Sequence, residues 1–159
     1  MIGDPDIIEF LNEALTAELT AINQYFAHAK LCENWGYERL GEFYRKESID
    51  EMKDAETLID RILFLDGMPN LQRLGSVRVG ETVEEQLQLD RELEEDAVAR
   101  YRRGVTLCLE KGDAGTREVL EHLLLGEESH LDWIETQQSC IDDIGIARYQ
   151  QSMMAELES

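Results

Sequence analysis

Residues 47–54 read Glu47-Ser48-Ile49-Asp50-Glu51-Met52-Lys53-Asp54, and three of these acids fall where a helix should be apolar. Leu40, Tyr44, Glu47, Glu51, Asp54, Leu58, Ile62 and Leu65 recur at helical spacing as one inward face, and Glu47, Glu51 and Asp54 interrupt it. Uncompensated buried charge is costly, so a row of inward carboxylates calls for a cationic neutraliser, of which a metal ion is the simplest.

Three other stripes carry acids in the same way. Glu18 interrupts Ile8, Leu11, Leu15, Ile22, Tyr25 and Ala29; Asp90 and Glu94 interrupt Leu87, Ala97, Tyr101, Val105 and Cys108; Glu127 and His130 interrupt Leu120, Leu123, Ile134 and Ile141. Glu18 precedes Glu51 by 33 residues, and Glu94 precedes Glu127 by 33. A shift of 76 residues maps Glu18, Glu51 and Asp54 onto Glu94, Glu127 and His130. Residues three apart share a helix face, so Glu51/Asp54 and Glu127/His130 each form a two-pronged grip. Two such halves facing across a bundle make a di-metal carboxylate constellation. The alternative is a polar layer of Glu–Arg and Glu–His bridges, but the inward stripes lack the Lys and Arg to balance it. Oxygen-rich ligation with one imidazole suits iron or manganese. Iron held there and open to dioxygen would pass from Fe(II) to Fe(III).

Four long helices must position these residues. Asp4-Pro5 starts the first, which ends near Asn34-Trp35-Gly36. The second runs from about Tyr37 to Leu65 and stops at Asp66-Gly67 and Pro69. Residues 66–81 lack helical periodicity, a length that suits a crossover from one end of a bundle to the other. Thr82 with Glu85 makes a capping box for a third helix reaching about Lys111. Gly112-Asp113 turns into a fourth ending near Ile144-Gly145, and Ala147 to Leu157 reads as a short fifth. Helices of roughly 28 to 30 residues are about 40 to 45 Å long. The expectation is an all-α single domain over residues 1–159, a four-helix bundle of ferritin-like connectivity.

The 159 residues carry a formal net charge of −20, which argues against nucleic acid or an anionic membrane as partner. No basic-then-apolar leader and no run of about 18 apolar residues is present, so a cytoplasmic location is expected. Cys32, Cys108 and Cys140 form no CxxC pair and read as reduced, mostly buried thiols.

At these residues the chain resembles the bacterioferritins, the haem-containing branch of the ferritin family. The likeness spans nearly the whole chain: Leu19 to Phe26, Glu47 to Met52, Arg61 to Leu65 leading to Gly67-Met68-Pro69-Asn70, Val79-Gly80-Glu81, and Glu127 to Trp133. The resemblance implies iron storage in a hollow shell of twenty-four subunits, with Fe(II) oxidised by oxygen or peroxide at an intrasubunit di-iron centre. It makes Glu51 and Glu127 the bridging ligands and Glu18, Glu94 and His130 the terminal ones. It places haem b at the dimer interface with Met52 as an axial ligand, and a small ferredoxin as electron donor for iron release. At the position of Asp54 the family pattern carries a second histidine. Aspartate can still bind iron, but it is shorter and charged. That departure implies a site with altered redox balance, or a haem-binding subunit with an impaired centre that serves electron transfer or co-assembles with a competent subunit. Lys46 is a second departure, since some relatives carry there a histidine that works with Asp50 on the inner surface.

By composition Met52 is a packing residue facing away from its own bundle; the resemblance makes it a haem ligand. His28 and His122 lie off the acidic stripe and read as surface or interface histidines. Tyr25 reads either as core filler or as a neighbour of the metals, Trp35 and Trp133 as packing residues, and Glu92, Glu95 and Asp96 as a solvated face. A peroxidase of the rubrerythrin kind is disfavoured by the absence of CxxC, and a DNA-protecting mini-ferritin by the charge.

Overall fold

The computed structural model describes residues 1–156 and contains five helices: α1 (Pro5–Asn34), α2 (Glu38–Phe64), α3 (Val83–Lys111), α4 (Ala114–Ile144) and α5 (Ile146–Ser152). The four long helices lie within a residue or two of their predicted bounds. The fifth is shorter than predicted, and Leu157 lies outside the described residues.

Each start and stop has a local cause. Asp4 accepts a hydrogen bond from the Asp6 amide, ahead of Pro5 in the first turn. Thr82 Oγ1 accepts from the Glu85 amide, while Glu85 reaches back to the Glu81 amide. Asp113 caps α4 by accepting from the Thr116 amide. Gly112, at φ 73°, ends α3 in the left-handed region, where a side chain would be strained.

α1 pairs with α2 and α3 with α4 as two hairpins, and α1 packs on α3 across the bundle. The crossover between α2 and α3 is pinned to α1 by side chains on one face of that helix. Asn12 accepts from the Asn70 amide, Thr20 from Gly75, Gln24 from Arg78 and His28 from Gly80. His28 therefore corrects the sequence reading. It is fully buried, not a surface or interface residue, and its other ring nitrogen lies 3.0 Å from Asp90. Because the Gly80 amide donates to Nε2, the imidazole carries its proton on Nδ1, towards Asp90. His122 is exposed, as expected.

The interior consists of two apolar clusters with an acidic layer between them. One gathers Leu11, Leu15, Leu58, Ile62, Cys108 and Leu120; the other gathers Tyr25, Ala29, Leu40, Tyr44, Leu87 and Ile134. Tightly packed cores resist truncation, so Leu58→Ala would cost about 2–5 kcal/mol. Trp133 packs by stacking on Phe43, with ring centroids 3.6 Å apart. Of the three cysteines, Cys32 and Cys108 are buried and Cys140 is exposed.

Candidate metal centre

Glu18, Glu51, Glu94 and Glu127 come from four different helices and meet in the layer between the clusters, each no more than 3% exposed. On each helix the acid sits between apolar residues of the same stripe, so packing of the stripe carries the carboxylate into the interior. Two overlapping donor sets result. Glu51, Glu94, Glu127 and His130 form one, and Glu18, Glu51, Asp54 and Glu127 the other, with the donor atoms of each set within 4.8 Å of one another. All six residues read as ligands from spacing are thus brought together. Met52 is not among them: it points away from the centre and is 56% exposed. Ile49, one turn earlier, and Phe26, with Arg45 over its ring, are exposed as well.

One oxygen of each of the four glutamates lacks a protein partner. Glu18 Oε2, Glu51 Oε1, Glu94 Oε2, Glu127 Oε1 and His130 Nδ1 are buried with no hydrogen-bond partner among the described residues. Such orphaned atoms, converging from four helices, fit a pair of cations and fit a salt-bridged polar layer poorly. His130 Nδ1 lies 3.3 Å from Glu51 and 3.7 Å from both Glu94 and Glu127, while Nε2 approaches Glu47 at 2.8 Å.

Burial, then the Glu127 charge, pushes the Glu18 carboxyl up to about 7. Burial, then Glu18 and Glu127, pushes Asp54 up to about 8. Glu51 is raised well above the ordinary carboxylate range by burial, then by Glu18 and Glu127, and Glu127 by burial, then by Glu94. For His130 burial works against the charged form, but the four glutamates around it prevail and hold the imidazolium proton well above the ordinary range. Without a cation the centre is therefore held together by protons, which a metal would displace.

Two buried phenols hold Glu94 and Glu18 across the bundle. Tyr25 on α1 donates to Glu94 on α3, and Tyr101 on α3 donates to Glu18 on α1. Tyr25 is thus a neighbour of the centre as well as part of the core. Tyr101, by contrast, reads from sequence as an ordinary stripe residue, although the 76-residue shift that pairs the ligands also carries Tyr25 onto Tyr101. Glu47 and Asp50 fall outside the ligand set expected from spacing, yet together with His130 they form a third group of close donors beside the centre.

A cavity of about 460 Å³ leads to Glu18, Glu51, Glu94 and Glu127 between α1 and α3. The crossover residues Gly75, Ser76 and Arg78 help to line it, and Ala17, Ala21 and Ala97 keep its wall thin. Glu92, half-exposed, pairs with Arg78 near this opening. Among the described residues no helix is long and apolar enough to cross a membrane.

Residues 8–144 match the ferritin-like domain family. The chain is 51% identical to the bacterioferritin of Streptomyces coelicolor, over 99% of this chain and 95% of the relative. It is 49% identical to that of Mycobacterium leprae, over 94% of each. Among solved structures, Mycobacterium tuberculosis bacterioferritin, BfrA, superimposes with a TM-score of 0.96 at 46% identity, over 98% of both chains. With the fold, the converging acids and near full-length identity in agreement, the chain belongs to the bacterioferritins, within the ferritin-like iron-storage family.

Proposed function

We propose that this protein oxidises Fe(II) to Fe(III) at the centre within each subunit and stores the product in a shell of twenty-four copies. Ferrous iron is the substrate, and oxygen or peroxide the oxidant. The observation that carries this reading is the set of buried, unpartnered carboxylate oxygens beside the unpartnered His130 Nδ1. Glu51 and Glu127 belong to both donor sets and act as bridges; Glu18, Glu94 and His130 are terminal ligands, and Asp54 is the sixth.

The chain's own groups do three things. The cavity between α1 and α3 admits the cation past Glu18 and Glu94. Glu18 and Asp54, protonated near neutral pH without metal, release protons as the cation enters. Tyr25 and Tyr101 keep the terminal carboxylates aimed at the centre. Two ferrous ions side by side then give one electron each to one oxidant molecule.

Haem b would be held on the outward face of α2 by Met52, together with a second copy of the chain. The exposed thioether, with exposed Ile49 one turn before it on α2, fits an apolar macrocycle at a subunit interface. Haem bound there would supply electron-transfer chemistry, and a ferredoxin-type donor in the cytoplasm would provide the electrons for iron release.

Stoichiometric Fe(II) addition with oxygen or peroxide tests the oxidation. Glu18→Ala and His130→Ala should each load iron more slowly than the parent, and loading at the parental rate would remove the ferroxidase assignment. Asp54 favours a second reading, a haem-carrying subunit whose centre is impaired and which is co-assembled with a competent subunit. A haem Soret band together with no iron-oxidation progress curve in the homopolymer would select it.

A further inference from the structure

The two donor sets share Glu51 and Glu127 and differ in what completes them: Glu94 and His130 on one side, Glu18 and Asp54 on the other. One side is therefore three carboxylates and an imidazole; the other is four carboxylates. Asp54, though shorter than a histidine, has an oxygen within 4.8 Å of the donors of Glu18, Glu51 and Glu127, so its reach suffices.

Formal charge separates the two sides further. Five carboxylates belong to the combined sets, and the imidazole is neutral when it ligates. Tyr25 and Tyr101 donate their hydroxyl protons to Glu94 and Glu18 and so enter the count as neutral phenols. Two divalent cations would leave one negative charge uncompensated in the bundle, whereas one divalent and one trivalent cation balance the five carboxylates. An uncompensated buried charge is expensive, and a trivalent ion is the harder acid, which favours the all-oxygen side. Arg100 lies half-exposed in the cavity wall, where solvent screens its charge. Glu47 faces the far ring nitrogen of His130 and belongs to neither of the two sets.

We propose that, of the two ferric ions an oxidation leaves in the centre, the one held by Glu18, Glu51, Asp54 and Glu127 stays bound until incoming ferrous iron displaces it, while the His130 side gives up its ion freely. This rests on the ferroxidase reading and adds a division of labour between the two positions.

The test loads the assembled, metal-free protein with Fe(II) in air and strips it exhaustively with small-molecule ferrous and ferric chelators. Residual iron is counted by mass spectrometry, its valence read by Mössbauer spectroscopy, and its place found by anomalous diffraction at the iron edge. The expected result is one ferric ion per subunit on the Asp54 side, and none after the same treatment of Asp54→His or Asp54→Asn. Gallium(III) soaked into the metal-free protein should occupy the same position without any redox step. Residual iron on the His130 side, equal retention on both sides, or unchanged retention in Asp54→Asn would each overturn the proposal. Iron that enters both positions and leaves both would overturn it while leaving the ferroxidase reading intact. Iron that enters neither would overturn both.

Discussion

On one side of the centre Glu94 and His130 face the shared Glu51 and Glu127; on the other, Glu18 and Asp54 face the same pair. The frames are alike. Each terminal glutamate is held by a tyrosine from the opposite helix, Tyr25 to Glu94 and Tyr101 to Glu18. Each side also receives its last donor three residues after a bridge, Asp54 after Glu51 and His130 after Glu127. One substitution on a near-symmetric frame thus changes donor hardness, charge and proton content while leaving the scaffold as it was. The surroundings differ as well. His130 has Glu47 at its outer ring nitrogen, and the position that the 76-residue shift pairs with Glu47 is Leu123, buried in the apolar cluster.

Removing what the halves share should have the largest effect. Glu51→Ala or Glu127→Ala takes a donor from both sets at once, so both bound cations should be lost. Calorimetric titration with Co(II) would read this as the disappearance of binding. If one cation still bound with parental affinity, the two sets would not share their bridges.

Making the halves alike should have the next largest effect. Asp54→His gives both sides an imidazole, and His130→Asp makes both all-oxygen. The d–d bands of bound Co(II) should then collapse from two environments towards one in either variant. Two unchanged sets of bands in Asp54→His would mean that residue 54 is not a ligand.

The tyrosines sharpen the comparison, because each should act on one half only. Tyr101→Phe frees Glu18 and Tyr25→Phe frees Glu94, and loss of such an outer partner weakens metal binding by about 10–100-fold. The loss should fall on the Asp54 side in Tyr101→Phe and on the His130 side in Tyr25→Phe. Equal losses on both sides in each variant would show the frame responding as a unit.

Most of this centre is legible in the amino-acid sequence. The paired spacings and the 76-residue shift pick out the six residues that the fold brings together, because a carboxylate on an apolar stripe must be neutralised once the stripe is buried. Tyr101 is within reach of the same shift but looks like any core aromatic, since the stripe says where a ring lies and not what its hydroxyl meets. His28 escapes for a different reason. It sits off the line through Glu18, where the crossover covers α1, and only the path of that irregular segment buries it against Asp90 and Gly80. Glu47 lies on the stripe but has no counterpart under the repeat, so symmetry passes over it. Periodicity finds what repeats along helices; it is silent on loops and on the residues that break the symmetry.

The smallest expected effect, and the most selective, is on pH dependence. The Glu18 carboxyl is raised to about 7 and that of Asp54 to about 8, burial being the first cause in each. The folded, metal-free protein therefore holds protons that the unfolded chain has already lost. A group raised in this way contributes stability that is fully present below the ordinary carboxylate range and is lost as pH rises through 7 and 8. The thermal midpoint of the metal-free protein should thus fall between about pH 5 and pH 9, and Zn(II), which displaces the protons, should reverse the fall. Cation affinity should run the other way, rising by about tenfold per pH unit for each proton displaced. Asp54→Asn removes one of the raised carboxyls, so the slope between pH 7 and 8 should become shallower while Glu18 keeps its part below pH 7. A slope unchanged in that variant would move the charge to Glu51 and Glu127, which both halves share, and would remove the proton-content difference between them.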